Sequence, residues 1–140
     1  MGSFQILEHT GEIGILAYGN TAVQAFSQAA RGMFSFMIDL DAVEEHEVRH
    51  VEAEGPDIEA LLVAWLNELI YLFDVEGLVF KSFHVQEMDD THLKALCYGE
   101  RLDVERHRFS IGPKAATYHM LEVKKESEAS GWRARVILDI

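Results

Sequence analysis

Two carboxylates stand where oxygen donors for a cation could gather. Glu12 lies in the segment Gly11-Glu12-Ile13-Gly14, whose small neighbours allow close approach to a ligand or to another strand. Asp139 is the penultimate residue of an otherwise apolar, strand-like end, with the carboxylate of Ile140 beside it. Hard divalent cations such as calcium, magnesium and manganese take several oxygens at one point. If the first strands lie beside the last, Glu12, Asp139 and Ile140 supply such a cluster. The competing reading has Asp139 capping a strand edge or pairing with Arg133 or Arg135, and spacing alone favours it.

Other chemistry has less to stand on. The chain carries no Gly-rich phosphate loop, no cysteine pair for zinc and no Gly-x-Ser-x-Gly nucleophile elbow. None of its seven histidines is spaced as a helical pair around a glutamate. His9 and His119 sit in apolar or strand-like runs, where a hydrogen-bonded structural imidazole is the commoner fate. Cys97, the only cysteine, reads as a small buried strand residue and fits a reducing compartment.

The elements that must position these residues follow from periodicity. Phe4 to Glu8 and Ile13 to Tyr18 read as two short strands around His9-Thr10-Gly11-Glu12. Thr21 with Gln24 three residues later is a capping-box signature, and apolar residues at helical spacing extend a helix to about Ile38. Glu47 to Ala53 is a weaker strand candidate. Gly55-Pro56-Asp57 then breaks the chain, and Asp57 caps a second helix whose apolar residues cover most of its faces. Gly77 stops that helix.

Beyond it, Leu78 to Glu87, Leu93 to Gly99, Thr117 to Lys125 and Trp132 to Ile140 are strand-like. Asp89-Asp90 and Ser130-Gly131 read as hairpin turns. In the last run Trp132, Ala134, Val136, Leu138 and Ile140 point one way, and Arg133, Arg135, Ile137 and Asp139 the other. The pattern predicts a single α+β domain over residues 1–140, two helices packed on a largely antiparallel sheet.

Composition bounds the partners. Twelve Lys plus Arg against twenty-four Asp plus Glu leave a net charge of −12. Strong direct nucleic-acid binding and attachment to anionic membranes are not expected of such a surface, because both draw on cationic side chains. Basic proteins, cations and neutral ligands are the expected partners. Arg101, Arg106, His107 and Arg108 are candidates for a local basic patch, which reads first as a solvated, partly salt-bridged turn. The N-terminal residues lack a secretory pattern, and the most apolar segment, Ile58 to Phe73, is shorter than the ~20 residues a membrane span needs. A cytoplasmic location is expected.

Several segments carry a resemblance that extends from end to end. They are HTGEIGI at His9 to Ile15, WLNELIYLFDVEGLVF at Trp65 to Phe80, GERLDVERH at Gly99 to His107, KAATYHMLEV at Lys114 to Val123, and the closing VILDI at Val136 to Ile140. In these the chain resembles the archease family, whose fold is likewise an α+β sandwich. The resemblance implies a non-catalytic accessory protein of the RtcB-type RNA ligase of tRNA splicing and RNA repair. That ligase uses GTP and manganese to join a 2′,3′-cyclic phosphate or 3′-phosphate to a 5′-hydroxyl. The accessory protein is expected to promote ligase guanylylation and multiple turnover.

The resemblance also implies a divalent cation, calcium first with magnesium or manganese as alternatives, held by Glu12, Asp139 and Ile140. It places a functional lysine at Lys114. Two departures bear on this site. Gly11-Glu12 stands where the family usually has Ala-Asp, which lengthens the carboxylate by one methylene. Gly112-Pro113 replaces the more usual Glu-Ile, and a proline there disfavours a central strand just before Lys114. Two other functions stay open: a general protein-binding chaperone or modulator, and a small metal-dependent phosphohydrolase.

Overall fold

A tight hairpin opens the chain. In the computed structural model, which describes residues 2–127 and 131–140, strands β1 (Ser3–His9) and β2 (Glu12–Gly19) pair antiparallel with His9 opposite Glu12. Only Thr10 and Gly11 separate them, and Gly11 takes φ +79°, the left-handed backbone such a two-residue turn requires.

Helix α1 (Ala22–Met37) begins at Thr21, whose hydroxyl accepts the N–H of Gln24 at 3.2 Å. The Gln24 side chain returns to the N–H of Asn20 at 2.8 Å, one residue ahead of the cap itself. Ala25, Phe26, Ala29, Met33 and Phe34 form its fully buried face. A short 3₁₀ turn (Leu40–Ala42) leads to β3 (Glu47–Glu54).

Helix α2 (Ile58–Glu76) starts as the sequence predicts, with the Asp57 carboxylate accepting the N–H of Ala60 at 2.8 Å. It ends at Gly77, whose φ of +67° lets its own N–H close on the carbonyl of Phe73 at 2.9 Å. Trp65 is fully buried and donates its indole N–H to the Phe26 carbonyl at 3.0 Å, tying the helices together. Each large apolar side chain so buried contributes about 1.5–3 kcal/mol. Among the described residues no helix is long and apolar enough to cross a membrane.

Strands β4 (Leu78–Met88), β5 (His92–Arg101), β6 (Ala115–Ser127) and β7 (Gly131–Asp139) complete the chain. The Asp89 carboxylate accepts the N–H groups of Thr91 and His92, both at 2.8 Å, to make the β4–β5 turn. Ser130 of the other expected turn lies outside the described residues; Gly131 opens β7 at φ +76°.

The seven strands divide into two antiparallel sheets rather than one, ordered β1-β2-β7-β6 and β3-β5-β4. α1 packs on β2 and β4, and α2 on β6 and β3, so both helices fill the space the two sheets share. This division rests on the pairing of β2 with β7, from opposite ends of the chain, which local periodicity does not report. The face assignment along β7 holds: Ala134, Val136 and Leu138 are buried in the core and Asp139 is exposed. Ile137, on the far face, is covered too, with its Cδ1 lying over Gly14 beside Leu7. Cys97 is fully buried, and burial pushes its thiol up to about 12.

Candidate cation site

The antiparallel register sets the geometry of the site. β2 and β7 place Glu12 directly opposite Asp139, while β6 and β7 place Ala115 opposite the same Asp139. Directly opposed residues of an antiparallel pair project to one face, with Cβ atoms about 4.5–5.5 Å apart. Two carboxylates therefore leave the same face of the sheet side by side. The row continues to His9, opposite Glu12 on β1.

The end of the chain is pinned to this row. The N–H of Ile140 donates to the carbonyl of Gly11 at 3.1 Å, and the N–H of Lys114 donates to the carbonyl of Asp139 at 2.7 Å. Glu12, Asp139, Ile140 and Lys114, drawn from three separate parts of the sequence, are thus brought together. Glu12 is half-buried, Asp139 and Lys114 are exposed, and Ile140 leans on the core. Pro113 is buried, and β6 begins only at Ala115, so the proline sits just ahead of the ladder and leaves Lys114 beside Asp139.

A helix supports the arrangement from behind. The side-chain oxygen of Asn67 on α2 accepts the N–H of Ala116 at 2.8 Å, fixing the start of β6. The signal for Asn67 in the sequence is a polar residue set among Leu66, Leu69 and Ile70, where a buried donor needs an acceptor.

The alternative pairing for Asp139 does not form. Arg133 pairs with Glu122 and Glu126, and Arg135 donates to the carbonyl of Met120 at 2.9 Å. Among the described residues neither Glu12 nor Asp139 has an ion-pair partner. Like charges placed directly opposite each other across a ladder destabilise it, and a cation between them reverses that sign. Carboxylate oxygens of this kind suit a hard divalent ion.

The histidines fall differently from expectation. His9 and His119 are exposed, because His9 ends a strand at the hairpin and His119 lies where β6 leaves its ladder. The buried imidazole is His107, fully enclosed. Its Nδ1 accepts the N–H of Asp103 at 2.9 Å, so Nε2 carries the proton and donates to Glu100 at 2.8 Å. Arg106 donates to the other Glu100 oxygen at 2.9 Å, and the N–H of Glu44 donates at 2.8 Å. Burial alone would push the Glu100 carboxyl up; the hydrogen bonds from Arg106, Glu44 and His107 outweigh it and hold the group at about 2. Arg106 and His107 are accordingly parts of a partly salt-bridged turn wrapped on a buried acid. Arg101 donates to the Glu76 carbonyl at 2.7 Å.

Glu44, His46 and Glu100 bring ligand atoms within 4.8 Å of one another, the one such group of three among the described residues. Arg106 already pairs with Glu100 at 2.9 Å and His46 with Glu44 at 2.7 Å, and the cluster reads as a structural hub. One cavity of about 420 Å³ beside α2, lined in part by Glu52, Glu54, Glu68 and His92, shares no residue with the Glu12–Asp139 row.

A two-helix, two-sheet α+β sandwich, whose last strand returns an acidic residue to the first hairpin, defines the class to which the chain belongs. The solution structure of Methanobacterium thermoautotrophicum protein 1598 superposes with a TM-score of 0.82 at 38% identity, covering 98% of both chains. The crystal structure of an archease from Thermotoga maritima, described as a possible chaperone, shares the fold at 17% identity, with a TM-score of 0.63 over 97% of this chain and 96% of that one. Residues 4–140 match the Archease protein family. The chain is 43% identical to the protein archease of Methanosarcina mazei over 98% of its own length and 95% of the relative's, and 40% identical to that of Pyrococcus abyssi over the whole of both. The chain belongs to the archease family.

Proposed function

We propose that the protein is a non-catalytic activator of an RtcB-type RNA ligase, promoting its guanylylation and multiple turnover through a divalent-cation site at Glu12, Asp139 and Ile140. The observation that carries this reading is the register that sets Glu12 opposite Asp139, with Ile140 tied to Gly11. Calcium is the first candidate for the ion, and magnesium and manganese have the same preference for oxygen donors. The longer glutamate at position 12 reaches further from β2 than an aspartate would, and the neighbouring Gly11 stands in open space.

Nucleotidyl transfer needs its phosphates positioned and their charge neutralised. Glu12 and Asp139 would hold and orient a cation against the ligase's nucleotide site. Lys114, anchored through its backbone to Asp139, would orient a phosphate or steady a carboxylate. With a net charge of −12, the protein is suited to act on the ligase and not on the RNA directly. The cytoplasm, where tRNA is spliced in cells without a nucleus, is the compartment this role assigns.

The test is ligation of 2′,3′-cyclic-phosphate RNA by the ligase of the same organism, with RNA in large excess. Wild-type protein restores multiple turnover, whereas Asp139→Ala leaves the ligase at its unassisted level. Equal stimulation by both proteins refutes the site; no stimulation by wild type refutes the function.

A further inference from the structure

Midway along β6 the ladder to β7 is interrupted: Thr117 faces Ile137, and pairing resumes only with Glu122 opposite Arg135, so residues 118–121 span what β7 crosses in a single residue. Met120 adopts φ +54°, a left-handed conformation that glycine takes freely and a methionine does not. The excursion is nevertheless ordered by specific bonds. The Thr117 hydroxyl donates to the Ile137 carbonyl at 2.9 Å and accepts the N–H of His119 at 3.3 Å. Arg135 holds the Met120 carbonyl at 2.9 Å. Leu121 turns back onto the core, while Tyr118 and Met120 are left 67% and 54% exposed.

β6 is an edge strand, and bulges often serve only to blunt such edges against aggregation. Such blunting relies on charge, proline or the twist of the bulge itself, not on exposed apolar side chains. A tyrosine and a methionine held out in solvent raise self-association instead, which is the wrong chemistry for that purpose. Rigidly presented aromatic and thioether side chains are the chemistry of interface anchors. The excursion starts two residues along β7 from Asp139, about 7 Å at the strand rise. Thr117 and Ile137, at its root, lie one step along the same face as the Glu12–Asp139 pair, so a partner that covers both the excursion and these carboxylates would present cationic or metal charge beside an apolar pocket.

We infer that the Tyr118–Met120 excursion is a docking anchor, inserting its side chains into an apolar pocket of the ligase next to that enzyme's metal- and phosphate-binding site. The inference rests on the ligase reading given above and divides its labour: the excursion supplies affinity, and the Glu12–Asp139 pair supplies activation. Met120→Gly is the sharpest probe, because it removes the side chain while favouring the backbone conformation already present.

Two quantities separate the roles: the affinity of fluorescently labelled protein for the ligase, and its saturating stimulation of turnover. Tyr118→Ala and Met120→Gly should each weaken binding roughly ten-fold or more, the range of interface anchors. Their saturating stimulation and melting temperature should match wild type. Asp139→Ala should bind within a few-fold of wild type yet fail to stimulate at saturation. Wild-type affinity in both anchor variants overturns the inference, as does wild-type affinity accompanied by increased aggregation, which would make the excursion an edge protector. Binding without stimulation by wild type refutes the activation reading and leaves the anchor to be judged by affinity alone; no binding by wild type refutes both.

Discussion

Replacing Glu100 with glutamine should destabilise the protein at neutral pH and flatten its response to acid. The Glu100 carboxylate receives Arg106 on one oxygen and both the Glu44 N–H and His107 Nε2–H on the other. An amide keeps one acceptor and turns an NH₂ toward a donor, Arg106 or the Glu44–His107 pair, leaving a buried collision. The gap between about 2 in the folded protein and an ordinary value of 4.5 corresponds to about 3 kcal/mol, the size expected for breaking a buried, hydrogen-bonded charge pair. Because folding depresses this group, its contribution is fully present above pH 4.5 and is lost as pH falls from there toward 2. Urea denaturation of wild type and Glu100→Gln from pH 7 to pH 2 reads the difference directly. The two stabilities should differ by about 3 kcal/mol at pH 7 and converge across that acid window. A difference below about 1 kcal/mol at pH 7, the worth of an ordinary hydrogen bond, would refute the reasoning. So would a difference that does not change with pH.

Asn67→Ala strands the N–H of Ala116 and should cost about 1–3 kcal/mol in thermal or urea unfolding. Faster amide exchange at Ala116, and at Lys114 just ahead of β6, than along the rest of that strand would localise the loss. Asp139→Asn removes a carboxylate facing Glu12 and should raise cation-free stability by a few tenths to about 1 kcal/mol, measured in chelator; a loss of stability would show the two charges to be compensated already. Cys97, fully buried with its thiol pushed up to about 12, should resist a disulfide reagent at pH 8 in the folded protein and react promptly in urea. Rapid native labelling would contradict its burial.

Much of the fold can be read from local chemistry. Thr21 and Asp57 cap the helices where the sequence places them, Gly77 ends α2, and the alternation along Trp132 to Ile140 sorts core from surface. Long-range pairing is less accessible. That β2 lies on β7 is encoded in which apolar faces fit together across the whole chain, so the separation into two sheets emerged only with the structure. The candidate site is an intermediate case. The oxygen-rich residue types at positions 12, 139 and 140 marked it, but their meeting depends on that same β2–β7 pairing.

The Glu100–His107 hub was harder still. In sequence it is one acid near the end of a strand and one histidine in a charged turn, and only the fold brings them together as buried partners. His9 and His119 show the converse error, since a strand-like run does not say which face or which bulge a histidine occupies. The break in β6 is likewise silent in sequence: Tyr118, His119 and Met120 continue the β-rich texture of their neighbours, and nothing local requires the φ of +54° at Met120.

The central claim is that the Glu12–Asp139 row seats a divalent cation, and calorimetric titration of calcium into chelator-stripped protein tests it most directly. Wild type should bind one ion per chain, and Asp139→Asn should bind at least about ten-fold more weakly, the loss expected when a charged ligand becomes a neutral one. Equal affinity in the two proteins, or no uptake by wild type of calcium, magnesium or manganese, would contradict it.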